Sequence, residues 1–200
     1  MMPRAQRRLG PPRSRTATCQ GVRPSPKGRR DVDRATPPDN DVRVLPTDGF
    51  VHAGPIGNRG LNLVPADPPP GRLRHPYGDG PFARLVMPPV PKSPGVYLWE
   101  LNETVVYVGQ TRMPLASRLG SNGYATISTY NTFARQPGRR NGGQQTNCRI
   151  NALANAALAA GSVLNIWYRV TEPEQATVEE AGWMEVFGVP EWNRRVERLP

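Results

Sequence analysis

Histidine and cysteine are scarce in this 200-residue chain, with two of each. Both histidines, His52 and His75, precede residue 77, so residues 77–200 hold no Ser-His-Asp triad, histidine base or histidine-rich metal site. Cys19 and Cys148 lie far apart in segments of different composition, which excludes a disulfide framework or a cysteine-ligated zinc. The expected compartment is reducing, the cytoplasm. No window approaches a membrane-spanning apolar run, and the first residues lack the apolar stretch of a secretory leader. Gly142-Gly143 opens no strand-to-helix turn with the lysine or glycine spacing of a phosphate cradle, which removes nucleotide hydrolysis and dinucleotide redox chemistry.

What is present is unevenly spread. Of the 24 prolines, 19 lie at or before Pro94, whereas Trp99, Trp167, Trp183 and Trp192 all follow it, so the core-forming residues are at the back. The net charge of +10 divides the same way: residues 1–94 hold 16 Lys/Arg against 7 Asp/Glu, and residues 95–200 hold 10 against 9. Basicity therefore belongs to the front of the chain.

Residues 1–41 carry nine arginines and one lysine with no apolar periodicity, and read as a disordered tail, either a phosphate-gripping arm or a plain solvated extension. The basic, acid-free first 30 residues also fit an organelle transit peptide, though without an amphipathic apolar face. Residues 42–76, broken by Pro68-Pro69-Pro70-Gly71, read as a partly ordered linker in which Phe50, Val51 and Leu61 to Val64 could form short strands. A compact unit is expected over 77–200, with 77–94 extended along its edge.

Gly95 to Leu101 and Thr104 to Val108 are dense in β formers on either side of Asn102-Glu103, a hairpin pattern. Pro114 suits the first turn of a short helix carrying Arg118. Residues 120–146 read as a long loop anchored by Tyr124, Tyr130 and Phe133. Ile150, Leu153, Ala154, Ala157 and Leu158 follow helical spacing from a cap at Thr146 or Asn147 to Gly161. Val163 to Val170 reads as a third strand, and a last helix runs from Pro173 to about Phe187. The expected class is α+β (mixed α/β), with a small three-stranded antiparallel sheet flanked by helices in the order β-β-α-α-β-α.

Chemistry must then come from phenols, arginines, amides and acids. Tyr97 and Tyr107 stand ten residues apart on the two hairpin strands, in Gly95-Val96-Tyr97 and Tyr107-Val108-Gly109. Arg118 follows on the short helix, Glu180 on the last helix precedes Trp183 and Met184, and Pro190-Glu191-Trp192-Asn193 closes the unit. This spread over 95–193 resembles the GIY-YIG nuclease family, and the segment Gly142 to Asn151 is similar to one found in a branch of it. Where some relatives carry a histidine after the helix arginine, this chain has Asn122, which cannot take a proton.

The resemblance implies a metal-dependent endonuclease that hydrolyses DNA phosphodiester bonds, in a restriction, defence or repair setting. The implied catalytic set is Tyr97, Tyr107, Arg118, Glu180 and Asn193. Glu180, preferred to Glu179, would hold a single Mg2+ or Mn2+; Glu179 and Glu185 are then solvated helix charges. Tyr97 and Tyr107 would position the attacking water and relay its proton, and Asn193 would orient the phosphate or a tyrosine. A phenol with a pKa of about 10 is a poor base unaided. DNA contacts are expected from Arg112, Asn147, Arg149, Arg194 and Arg195, with Arg135, Arg139 and Arg140 nearby. The loop before Asn147 either presents backbone N–H groups and Arg149 to a phosphate or simply caps its helix. Cys148 is expected to be inert. Two competing readings are a catalytically inactive nucleic-acid-binding module of the same fold and an interaction protein whose basic tail binds acidic partners.

Overall fold

Asn102 and Glu103, both at positive φ (47° and 67°), form the tight turn that the twist of a two-residue hairpin requires. The Glu100 side chain accepts the Glu103 backbone N–H at 3.1 Å and steadies that strained pair. A computed structural model describes residues 49–121, 123–134 and 144–194. Expectations for residues 1–41, Asn122, Arg135, Arg139, Arg140, Gly142, Gly143 and Arg195 lie outside the described residues.

The strands are β1 (Val51–Pro55), β2 (Gly57–Asn58), β3 (Leu85–Val86), β4 (Gly95–Leu101), β5 (Thr104–Thr111) and β6 (Leu164–Val170). The helices are α1 (Leu115–Leu119), α2 (Gln145–Ala159) and α3 (Ala176–Val186), with 3-10 turns at Thr129–Thr132 and Glu191–Asn193. From β4 onward the order is the β-β-α-α-β-α read from the sequence. The class is mixed α+β with antiparallel pairing, but the main sheet has four strands rather than three, in the order β1-β6-β4-β5.

The additional strand is β1. It pairs antiparallel with β6, setting Val51 opposite Tyr168 and His52 opposite Trp167. Phe50 and Ile56 at its two ends are buried in the core, each worth about 2 kcal/mol of apolar burial. The folded unit therefore reaches upstream of Tyr77 into the segment read as a linker. Composition misled there because β1 carries Gly54 and Pro55 within it, and its ladder to β6 accommodates them with a register shift between His52 and Gly54.

Period-2 alternation sends β4 and β5 side chains to two cores. Tyr97, Trp99 and Tyr107 face one side, covered by Leu115 and Leu119 of α1 and by Ile150 and Ala154 of α2. Val96, Leu98 and Val108 face the other, where Phe50, the α3 residues Trp183 and Met184, and Phe187 just after that helix pack. After α3 the chain crosses the outer edge of β5 to put Trp192 into the first core, 6.1 Å from Trp99 between ring centroids. Among the described residues no helix is long and apolar enough to cross a membrane.

Candidate functional site

The two glycines of the hairpin motif are dictated by packing. Tyr97 sits opposite Gly109, and a Cβ at Gly109 would lie 2.6 Å from the end of the Tyr97 ring and 2.8 Å from Tyr107 Cε1. At Gly95 a Cβ would meet the Arg169 backbone carbonyl and Leu115. Gly109 thus lets two tyrosines lie side by side on one sheet face, their centroids 6.3 Å apart, while Gly95 lets β4 approach β6 and α1.

A third phenol joins them. Tyr124, read from sequence only as a loop anchor, is fully buried. Its hydroxyl shares hydrogen bonds with the Tyr97 hydroxyl at 3.0 Å and the Tyr107 hydroxyl at 3.2 Å. Arg118 Nη2 donates to the same oxygen at 2.8 Å. One O–H and two lone pairs are all a phenol has, so these three partners saturate it. The only sequence signal was its spacing, six residues after Arg118 behind a glycine. Gly123 is required because a Cβ there would collide with the Arg118 carbonyl.

Arg118 is the hub. Beyond Tyr124, its Nε donates to Tyr97 Oη at 3.3 Å and its Nη1 to Asn147 Oδ1 at 3.1 Å. The guanidinium also lies over the Tyr124 ring, with Cζ 4.7 Å from the centroid. Burial acts to lower its pKa, but the neighbouring phenols outweigh that and raise it, so Arg118 is a permanent cation. Burial, the largest influence, holds Tyr97 and Tyr124 neutral, with ionisation pushed well above the ordinary phenol value. Tyr97 has no exposed surface, and its hydroxyl is engaged by Arg118 and Tyr124.

Arg118 opens onto a cleft of about 600 Å³ lined with Gln110, Thr111, Arg112, Met113 and Ser117. Glu180 approaches the same end of β5. Burial raises the pKa of its carboxyl, while the Arg118 charge and the Gln110 backbone N–H act in the opposite direction. Two residues back along this edge strand, Asn193 engages the backbone of Val108 through both amide atoms. The Val108 backbone groups lie on the outer edge of β5, and Asn193 caps both of them there.

The sequence-derived set is therefore sorted by the fold. Tyr97, Tyr107 and Arg118 join one hydrogen-bonded cluster, with Glu180 in the field of Arg118. Asn193 holds the backbone of Val108 through its amide. Asn147 is 1 % exposed and spends its side chain on Arg118 and Gln144, which removes it from the DNA-contacting residues. Arg112 is exposed at the cleft and donates to Thr177 Oγ1 at 3.3 Å. Arg149 donates to the Arg194 carbonyl, and Arg194 to the Val189 carbonyl, both at 3.1 Å.

Glu179 is not a solvated charge: it lies 3.4 Å from Arg169 Nε and accepts the Thr171 hydroxyl at 2.8 Å. Glu185 is exposed. The Cys148 thiol is pushed up to about 12 by burial and is inert. Among the described residues no group of three or more His, Cys, Asp or Glu side chains is gathered for a metal. No protein-family model, curated protein or solved structure matches the chain.

Proposed function

We propose that this chain is a metal-dependent endonuclease of the GIY-YIG type, cleaving DNA phosphodiester bonds at the cleft beside Arg118. The observation that carries the reading is a fixed guanidinium, held by two phenols and an amide, within the electrostatic reach of a half-buried carboxylate. Arg118 offers a phosphoryl group a cation whose position is set before substrate arrives, and such preorganised donors are worth about 10²- to 10³-fold in rate.

Glu180 suits a Mg2+ or Mn2+ ion because burial penalises its charge and a divalent cation would relieve that penalty. With one carboxylate in place, the ion would keep most of its waters and supply Lewis acidity at the phosphate. Tyr97 and Tyr124 serve as neutral struts for Arg118. Tyr107, bonded to Tyr124 and retaining slight exposure, is the phenol assigned to the substrate side. Arg112 at the cleft rim supplies attraction to the DNA backbone that weakens with salt.

The test is a nicking assay on supercoiled plasmid with the full chain, in Mg2+, Mn2+ or EDTA, comparing wild type with Glu180→Gln and Arg118→Ala. Metal-dependent nicks that vanish in both variants support the nuclease. A metal-indifferent mobility shift without strand breaks supports the non-cleaving binding module instead, and nicking equal in all three proteins rejects this site.

A further inference from the structure

Asn147, Asn151 and Asn155 recur at every fourth position of α2, so they occupy one face of the helix. That face is the buried one, and none of the three is more than 1 % exposed. A row of amides where an amphipathic helix should place leucines is costly unless every polar atom is used.

Each amide is used, and on a different target. Asn155 Oδ1 accepts the Asn62 backbone N–H at 2.7 Å, and its Nδ2 donates to Asn62 Oδ1 at 3.0 Å. Asn151 Oδ1 accepts the Ala83 N–H at 2.8 Å, while its Nδ2 donates to the Ala83 carbonyl at 2.9 Å and the Tyr124 carbonyl at 2.7 Å. Asn147 Oδ1 accepts from Arg118 Nη1 at 3.1 Å, and its Nδ2 donates to Gln144 Oε1.

The targets follow a gradient along the helix. The far rung grips only the upstream segment, the middle rung grips that segment and the backbone of Tyr124, and the near rung grips Arg118 itself. We propose that Asn151 and Asn147 are the positioning residues of the candidate site, setting Tyr124 and Arg118 through a shared rail on α2 that also fastens the segment from Asn62 to Ala83. Tyr124 is thereby held at both ends, its carbonyl by Asn151 and its hydroxyl by Arg118. An apolar residue at 151 would fill the volume but strand the Ala83 N–H, the Ala83 carbonyl and the Tyr124 carbonyl without partners.

The consequence for cleavage rests on the nuclease reading; the consequence for the phenols does not. A displacement of about 1 Å in a positioned group can cost about 10²-fold in rate. The experiment compares wild type, Asn151→Ala, Asn147→Ala, Asn147→Asp and Asn155→Ala in the full chain. It reads Tm, the alkaline titration of tyrosine absorbance and plasmid nicking kinetics in Mg2+.

Asn155→Ala touches no site residue and is expected to lower Tm alone. Asn151→Ala and Asn147→Ala are expected to let a further phenol titrate near the ordinary value of about 10, and to lower kcat about 10²-fold with KM little changed. Asn147→Asp, which keeps an oxygen against Arg118, restores the wild-type titration. If Asn151→Ala does not fold, the Asn147 pair decides. The proposal is overturned if Asn155→Ala shifts the phenol titration as much as the other alanine variants, or if neither of them shifts it. Loss of the nuclease reading leaves the titration outcome standing, so the two failures are told apart.

Discussion

Asn193 and Val108 are joined at two points: the Val108 N–H donates to Asn193 Oδ1 and Asn193 Nδ2 donates to the Val108 carbonyl, each at 2.8 Å. The residues are 85 apart in sequence, so the pair closes the chain back onto the edge of the sheet. Asn193→Asp keeps the acceptor but sets a carboxylate against the Val108 carbonyl, and Asn193→Ala leaves both backbone groups unpaired. Calorimetry should show Tm falling in both, by an amount matching about 1–3 kcal/mol for the lost partners. An unchanged Tm would mean that the clasp contributes nothing to holding β5.

Arg118→Lys should behave as a loss of function rather than a conservative change. One planar group donates to Tyr97, Tyr124 and Asn147 at once, and an ammonium on a flexible stem cannot reproduce that fork. Initial nicking rates should drop about 10²- to 10³-fold. Wild-type rates in the lysine variant would show that charge alone suffices.

Glu180→Gln should separate stability from activity. The carboxyl is raised above its ordinary 4.5, by burial first, so the folded state binds this proton more tightly than the unfolded chain. Its contribution to stability therefore falls as pH rises from that ordinary value through the raised one, and remains low at pH 7. Without metal, Glu180→Gln should match or modestly exceed the wild-type Tm at pH 7, and the advantage should close in mild acid. Millimolar Mg2+ should raise the Tm of wild type but not of the variant, since an ion bound only by the native state stabilises it. Equal Mg2+ shifts in both proteins would remove Glu180 as the ligand.

Gly109→Ala tests why the hairpin motif contains its second glycine. The added methyl would sit 2.6 Å from the Tyr97 ring and 2.8 Å from that of Tyr107, and both rings are packed in the core. Overpacking of this kind costs about 1–3 kcal/mol. Chemical denaturation should report that loss, with nicking falling in parallel as Tyr97 is pushed off Arg118 and Tyr107 off Tyr124. A variant as stable as wild type would show that the rings have room to move.

The hairpin, α2, β6 and α3 were legible because each is a local pattern: alternation of two, a helical repeat, and Gly161 as a stop. β1 was legible only at its start, where Phe50 and Val51 suggest a short strand, because its pairing with residues more than a hundred positions away leaves almost no local trace. The same reason hid Tyr124 and misassigned Asn147. Tyr124 reads as an aromatic anchor of a polar loop and Asn147 as a helix cap or DNA contact, and both are buried by contacts that only the closed fold creates.

The amino-acid order alone settled which residue types are at hand for chemistry: tyrosines set by glycines, one arginine on a short helix, and an acid and an amide near the end. It also fixed the local elements that carry them, since backbone sterics and side-chain periodicity act within a few residues. The tertiary structure decided who meets whom. Bringing α2 against the sheet face of Tyr97 and Tyr107 turned a loop phenol into the hub's partner and a surface amide into a strut. Carrying the end of the chain around β5 turned Asn193 into a clasp. Such assignments depend on which atoms are left to satisfy one another once water is excluded.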